Sequence, residues 1–198
     1  MATAPTPHPT ARERAKADRR EVLLDAAARL FAERGFDRVS LEDLGAAAGV
    51  SGPAVYRHFP GKQAVLAALL VEVSEGLVSG GARVIAEAPD AGTALRGLVA
   101  FHVDFALSNP DVIVVQDRDL GSLADEDNAT VRRLQRTYID AWVGVLGDLH
   151  PEVDRRGLRI RARATFGLLN STPHSARSSS RTTVRELLES MALAALDA

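Results

Sequence analysis

Apolar residues along the first third of the chain recur at spacings of three and four. Leu23, Ala26, Ala27, Leu30 and Phe31 fall on one face of a helix that the pattern starts at Asp18, a fitting N-cap with Glu21 three positions on. Gly35 supplies the stop, because glycine accepts a positive φ. A second start follows at Ser40, with Glu42 and Asp43 in its first turn and Leu41, Leu44 and Ala48 as its apolar positions, and Gly49 ends it. Ser51 can cap a third helix, since Pro53 costs little in a first turn, and Val55 and Phe59 give it an inner face before Pro60 and Gly61 close it. Helices this short are unstable alone, so they must pack through Leu30, Phe31, Leu44, Val50, Val55 and Phe59. Three helices with so tight a turn between the second and third match a helix-turn-helix.

Past Lys62 the helices lengthen and Pro and Gly punctuate them. The pattern predicts helices over 64–78, 93–108, 128–149, 158–171 and 182–196. Val112 to Val115 has strand propensity, but no partner strand is evident in the sequence, so a short helix is expected there too. The expected fold is all-α, with about nine helices. Residues 1–17 read as a disordered basic extension, 18–64 as the helix-turn-helix domain, and 65–198 as a larger helical domain.

Composition changes this picture little: 46% of residues are hydrophobic and 25% charged, as in globular domains. The absence of cysteine excludes disulfides, thiolate metal sites and cysteine nucleophiles. Charge is more informative once divided. Residues 1–65 carry a net +2 and residues 66–198 a net −4, with Arg12, Arg14, Lys16, Arg19 and Arg20 crowded into the first twenty positions. A basic end on an acidic body points toward nucleic acid. Met1 to Pro9 has no apolar core to serve as a signal peptide, and no run approaches the ~18 apolar residues of a membrane span. A cytoplasmic protein without membrane contact is expected.

The stretch from Ser51 to Lys62 carries the most specific chemistry. With Val55 and Phe59 inward, Tyr56, Arg57 and His58 turn to other faces, and Lys62 follows one turn later. Hydroxyl, imidazole and ammonium groups donate to phosphates, while other side chains of a helix in the major groove reach base edges. The stretches "LLDAAARLFAERGFDRVSLEDLGAAAGVS" and "GPAVYRHFPGKQAVL" together resemble the DNA-binding domain of the tetracycline-repressor (TetR-like) family of transcriptional regulators. That resemblance implies that Ser40 caps the second helix and touches phosphate and that Tyr56, His58 and Lys62 bind further phosphates. Gly52, Pro53, Ala54 and Arg57, just after Ser51, would occupy base-reading positions. Gly52 has no side chain, and Pro53 and Ala54 offer only apolar contact, so hydrogen-bonded readout falls on Arg57, whose preferred mate is guanine.

The resemblance also implies a homodimer on a palindromic operator, joined by the last two long helices. Leu158, Phe166, Val184, Leu187, Leu188, Met191 and Ala195 are the expected interface, with Ala192 in the same stripe. It further implies a small, mostly apolar or amphipathic effector held in the middle helices by Phe101, His102, Phe105, Tyr138, Trp142, Phe166 and Asn170. Arg155, Arg156, Arg159, Arg161 and Arg163 could neutralise an anionic effector such as an acyl-coenzyme A thioester, although a solvated face or ion pairs across a dimer would explain them equally. No catalytic residues, metal site or cofactor are expected. No phosphate loop or nucleophile motif occurs, and His8, His58, His102, His150 and His174 are scattered without ligand-like spacing. His102 and Asp104 fall on different helix faces.

Overall fold

The computed structural model describes residues 10–175 and 179–197. Among these residues the chain is helical and has no strand. The helices are α1 (Ala11–Arg34), α2 (Leu41–Ala47), α3 (Gly52–Tyr56), α4 (Lys62–Glu87), α5 (Ala91–Ser108), α6 (Pro110–Asp119), α7 (Asp125–Leu149), α8 (Arg155–Leu169), α9 (Thr172–Ser175) and α10 (Arg181–Asp197). The Val112–Val115 run is indeed the middle of a helix, α6.

Two expectations at the N-terminus need correction. α1 begins at Ala11, seven residues before Asp18, so the extension read as disordered through residue 17 is helical over its second half. Ala11–Ala17 is built of Ala, Arg, Glu and Lys, all strong helix formers, with no Gly or Pro before Asp18, so propensity carries the helix past the point where the apolar face ends. Residues 1–9 of that extension lie outside the described residues.

The short helices end as their sequences dictate. Gly35 (φ 87°) and Gly49 (φ 67°) are the positive-φ positions among the described residues. Ser40 and Asp43 form a reciprocal cap on α2: the Asp43 N–H donates to Ser40 Oγ (3.1 Å), and the Ser40 N–H donates to the Asp43 carboxylate (2.9 Å). Bonds to the Ser40 hydroxyl and backbone hold the Asp43 carboxyl below its ordinary range.

Two apolar cores follow from this arrangement. The first joins Leu23, Leu30, Phe31, Leu44, Val55 and Phe59 of the N-terminal helices to Leu66 and Leu70 of α4, and also to Val112 and Val115 of α6. The second gathers Leu98, Val103, Trp142, Leu146, Leu158, Leu169, Leu188 and Leu196. α4 runs through both: its first half packs in the first core, and Leu77, Val78, Val84 and Ile85 pack against the second. A border at residue 64 therefore falls inside one continuous helix rather than at a linker. Service in two cores also makes α4 apolar on several faces, which gives it the length and hydropathy of a membrane span, contrary to the reading that no segment approaches one.

α4 and its neighbours approach closely where side chains are missing. A Cβ on Gly80 would lie 2.2 Å from Phe101 Cζ, and one on Gly81 would lie 2.6 Å from Tyr138 Cε2. These glycines admit α5 and α7 to α4 and set the spacing of the helices around the second core.

Candidate nucleic-acid interface and effector cavity

The cap on α2 and the turn at Gly49 aim α3, and the side chains around α3 divide sharply by exposure. Tyr56 is 54% exposed, and Pro53 and Arg57 are exposed as well. Ser51 occupies the N-cap of α3 but its hydroxyl makes no capping bond, so that group remains uncommitted. His58 is half-buried, with its ring 6.5 Å from that of Phe59. Ala54 departs from expectation. It is only 7% exposed, packed beside Val55, and its methyl cannot face a base. Five residues of helix cannot present every position outward, and the inner face of α3 takes in Ala54 as well as Val55.

Lys62 also differs from the simple picture of a free phosphate clamp. Its ammonium donates to the carbonyls of Phe36 (2.8 Å) and Asp37 (3.3 Å) and lies 4.4 Å from the centre of the Phe36 ring. Two of three ammonium hydrogens thus tie the start of α4 to the turn before α2, leaving one for an outside partner. A shallow groove between α2 and α3 is lined by Arg38, Ser40, Glu42, Tyr56 and Lys62. Arg38, exposed at the mouth of that groove, is a cation that periodicity could not single out.

The second site is a half-open cavity of about 180 Å³ between α4, α5, α6, α7 and the end of α8. His102, Phe105, Tyr138, Phe166 and Asn170 line it as expected. Phe101 does not: its ring packs against α4 at Gly80. Trp142 does not either. It is fully buried behind the cavity, edge-on to Phe166 at 4.9 Å between ring centres. Ser74, Leu77, Ile113, Gln116, Leu134, Gln135 and Ile139 complete the lining and were not foreseen. Ile113 sat in an apolar run without aromatic signal, and Gln116 and Gln135 carry no local pattern that marks a cavity.

His102 is the polar centre of this cavity. Its Nε2 lies 3.0 Å from Asn170 Oδ1 and its Nδ1 lies 3.4 Å from the Tyr138 hydroxyl, with ring contacts to Phe105, Tyr138, Trp142 and Phe166. Complete burial among these rings pushes its pKa down to about 4, with the Asn170 bond opposing, so the imidazole is neutral at physiological pH. Nε2 then carries the hydrogen that Asn170 accepts, and Nδ1 accepts from Tyr138. Burial also keeps the Tyr138 phenol protonated. The Trp142 N–H is enclosed and makes no hydrogen bond of normal geometry, although it lies close enough to Tyr138 to oppose the effect of burial on that phenol.

None of the five α8 arginines lines the cavity. Arg159 (2.5 Å) and Arg155 (3.6 Å) pair with Asp140 on α7. Part of the expected dimer face needs correction, because Leu158, Leu188 and Ala192 are buried within the chain; Phe166 and Val184 are half-buried. The outward apolar positions are Leu187 (57% exposed), Met191 (44%) and Ala195 on α10, with Ile160 (62%) on α8.

Comparison with known proteins divides the chain into the same two parts. Residues 23–69 match the family of bacterial regulatory proteins described as the tetR family, and residues 89–198 match the tetracyclin repressor-like C-terminal domain. The chain is 30% identical over 142 residues to the HTH-type transcriptional repressor KstR2 of Rhodococcus jostii, covering 71% of this chain and 70% of that protein. The crystal structure of the TetR-family regulator PfmR from Thermus thermophilus superimposes with a TM-score of 0.75 at 25% identity, over 96% of this chain and 97% of that one. A TetR-family regulator from Bordetella parapertussis has the same fold, with a TM-score of 0.78 at 23% identity over 88% and 93% of the two chains. With both halves matched in order, a helix-turn-helix presenting Tyr56 and Arg57 and a helical body enclosing a cavity, this chain belongs to the TetR family of transcriptional regulators.

Proposed function

We propose that this protein is a cytoplasmic, ligand-responsive repressor that binds an inverted-repeat operator as a homodimer and leaves it when a small effector fills the cavity. The observation that carries this reading is the double duty of α6. Ile113 and Gln116 line the cavity, while Arg118, near the end of the same helix, donates to the carbonyls of Phe31 and Ala32 in the last turn of α1. Asp119, itself buried, holds the guanidinium in place with bonds of 2.9 Å to both of its oxygens. A ligand that displaces α6 must therefore strain or move α1, and with it the domain that carries α3.

On DNA, Tyr56 and His58 donate to phosphates, and Arg57 reads a base, with Ser51 as a further backbone contact, whereas the Ser40 N–H and hydroxyl both go to Asp43. One helix-turn-helix reads few base pairs, so two copies related by a two-fold axis are needed. The outward stripe Leu187, Met191 and Ala195, beside Ile160 on the packed helix α8, is apolar surface suited to burial against the same stripe of a second copy. The test is selection of bound sequences from a random DNA pool, followed by challenge of the complex with cell metabolites. Arg57→Ala should relax the preference at one position per half-site while scrambled DNA is bound as before. Equal losses on selected and scrambled DNA would refute the role of Arg57, and a pool without two-fold symmetry would refute the dimer.

A further inference from the structure

The chemistry of the cavity wall narrows what can occupy it; this step rests on the effector site proposed above. Its polar groups are a hydroxyl (Ser74), a phenol (Tyr138), an imidazole (His102) and three carboxamides (Gln116, Gln135, Asn170), and no Lys, Arg, Asp or Glu is among the described residues lining it. The imidazole and phenol are uncharged for the reasons given above. None of the α8 arginines lines it, and Arg155 and Arg159 pair with Asp140 instead. A buried carboxylate or phosphate would meet no counter-charge here, and an uncompensated ion is strongly disfavoured in such surroundings.

Among the groups that remain uncommitted are donors on Asn170 and Tyr138. Asn170 spends its oxygen on His102 Nε2, leaving its NH2 to face outward. The Tyr138 O–H is held only loosely, at 3.4 Å from His102 Nδ1, well beyond the ~2.8 Å of a good hydroxyl bond. Neither the Gln116 nor the Gln135 carboxamide has a hydrogen-bond partner among the described residues. Around them stand flat walls: Phe166 lies 4.9 Å from His102 and 5.5 Å from Tyr138, and Phe105 lies 5.6 Å from His102. The space, about 180 Å³, compares with the ~150 Å³ cavity that accepts benzene.

We infer that the cavity takes an uncharged molecule with a compact body of one or two rings and a carbonyl oxygen, which accepts hydrogen bonds from the Tyr138 hydroxyl and the Asn170 carboxamide. An anion of the same size is rejected for want of a counter-charge, and the corresponding hydrocarbon binds weakly because it leaves both donors unpaired.

Trp142 is the chain's one tryptophan, and its contact with Phe166 makes it a native reporter of occupancy. The full-length protein is titrated at neutral pH with three probes of one size, 1-tetralone, tetralin and 1-naphthoate, and Trp142 emission is followed. Saturable binding of 1-tetralone is expected, with tetralin and naphthoate weaker by about tenfold or more, equivalent to ~1.4 kcal/mol. Tyr138→Phe and Asn170→Ala, each checked for an unchanged melting profile, should weaken 1-tetralone by about tenfold and leave tetralin unaffected. Naphthoate or tetralin binding as tightly as 1-tetralone, or no saturable response to any of the three, would overturn the inference. Release of DNA is read separately. A discriminating response without release leaves the ligand class standing and refutes the effector role, whereas release without discrimination does the reverse.

Discussion

His102 should make the stability of this protein fall in mild acid, and the size of the effect follows from its burial. In the unfolded chain an ordinary histidine takes up a proton as the pH falls through 6.5, whereas the folded chain resists until about 4. Between these values the unfolded state binds the extra proton, so stability present above pH 6.5 is lost progressively as the pH drops toward 4. The slope approaches ~1.4 kcal/mol per pH unit, so the loss is about 2 kcal/mol between neutrality and pH ~5, and about 3 kcal/mol in full. For a chain of this size that first step lowers the melting temperature by roughly 4–8 °C. The assay is urea unfolding across this window for the native protein and His102→Gln. Other histidines, and Asp117, whose pKa burial raises, are common to both and cancel in the difference. The carboxyls held low by their partners, Asp43, Asp90 and Asp104, act chiefly below the window. The variant should lose the slope, and the His102 ring resonance should not titrate above pH ~5 in the native protein. A ring that titrates near its ordinary value, or a variant with an unaltered slope, would refute the reasoning.

Arg118→Ala should cost about 2 kcal/mol by removing charge-assisted bonds to α1, and should weaken the response of DNA binding to effector more than DNA binding itself; operator affinity measured with and without ligand gives the ratio, and an unchanged ratio argues against α6 as the link. Gly80→Ala should destabilise by roughly 1–3 kcal/mol, because its Cβ would meet the Phe101 ring at 2.2 Å; thermal melting checks this, and a neutral result would mean the ring has room to swing. Leu187→Glu combined with Met191→Glu places charge on the outward face of α10 and should convert a dimer to monomers without loss of helix content, as read by sedimentation and circular dichroism.

What was legible in the sequence is what short-range physics settles. The capping pair at Ser40, the positive-φ glycines at 35 and 49 and the apolar spacing of Leu23 to Phe31 each depend on residues within a turn or two. The helical order, the turn before α3 and the exposure of Tyr56 and Arg57 follow from them. Tertiary packing alone decided the rest, because periodicity marks a face but not its partner. Ala54 went inward, and Leu158 and Leu188 were spent on the chain's own core while Leu187 and Met191 stayed outside. Lys62 found backbone carbonyls twenty-five and twenty-six residues away before it could meet a phosphate. The cavity is the clearest case. Trp142 is buried behind it and Phe101 packs against α4 at Gly80, whereas Gln116 and Gln135, polar by every local measure, line it because five helices meet there. A local pattern determines which side of a helix is buried; only the meeting of helices determines whether that side ends in a core, a cavity or a second copy.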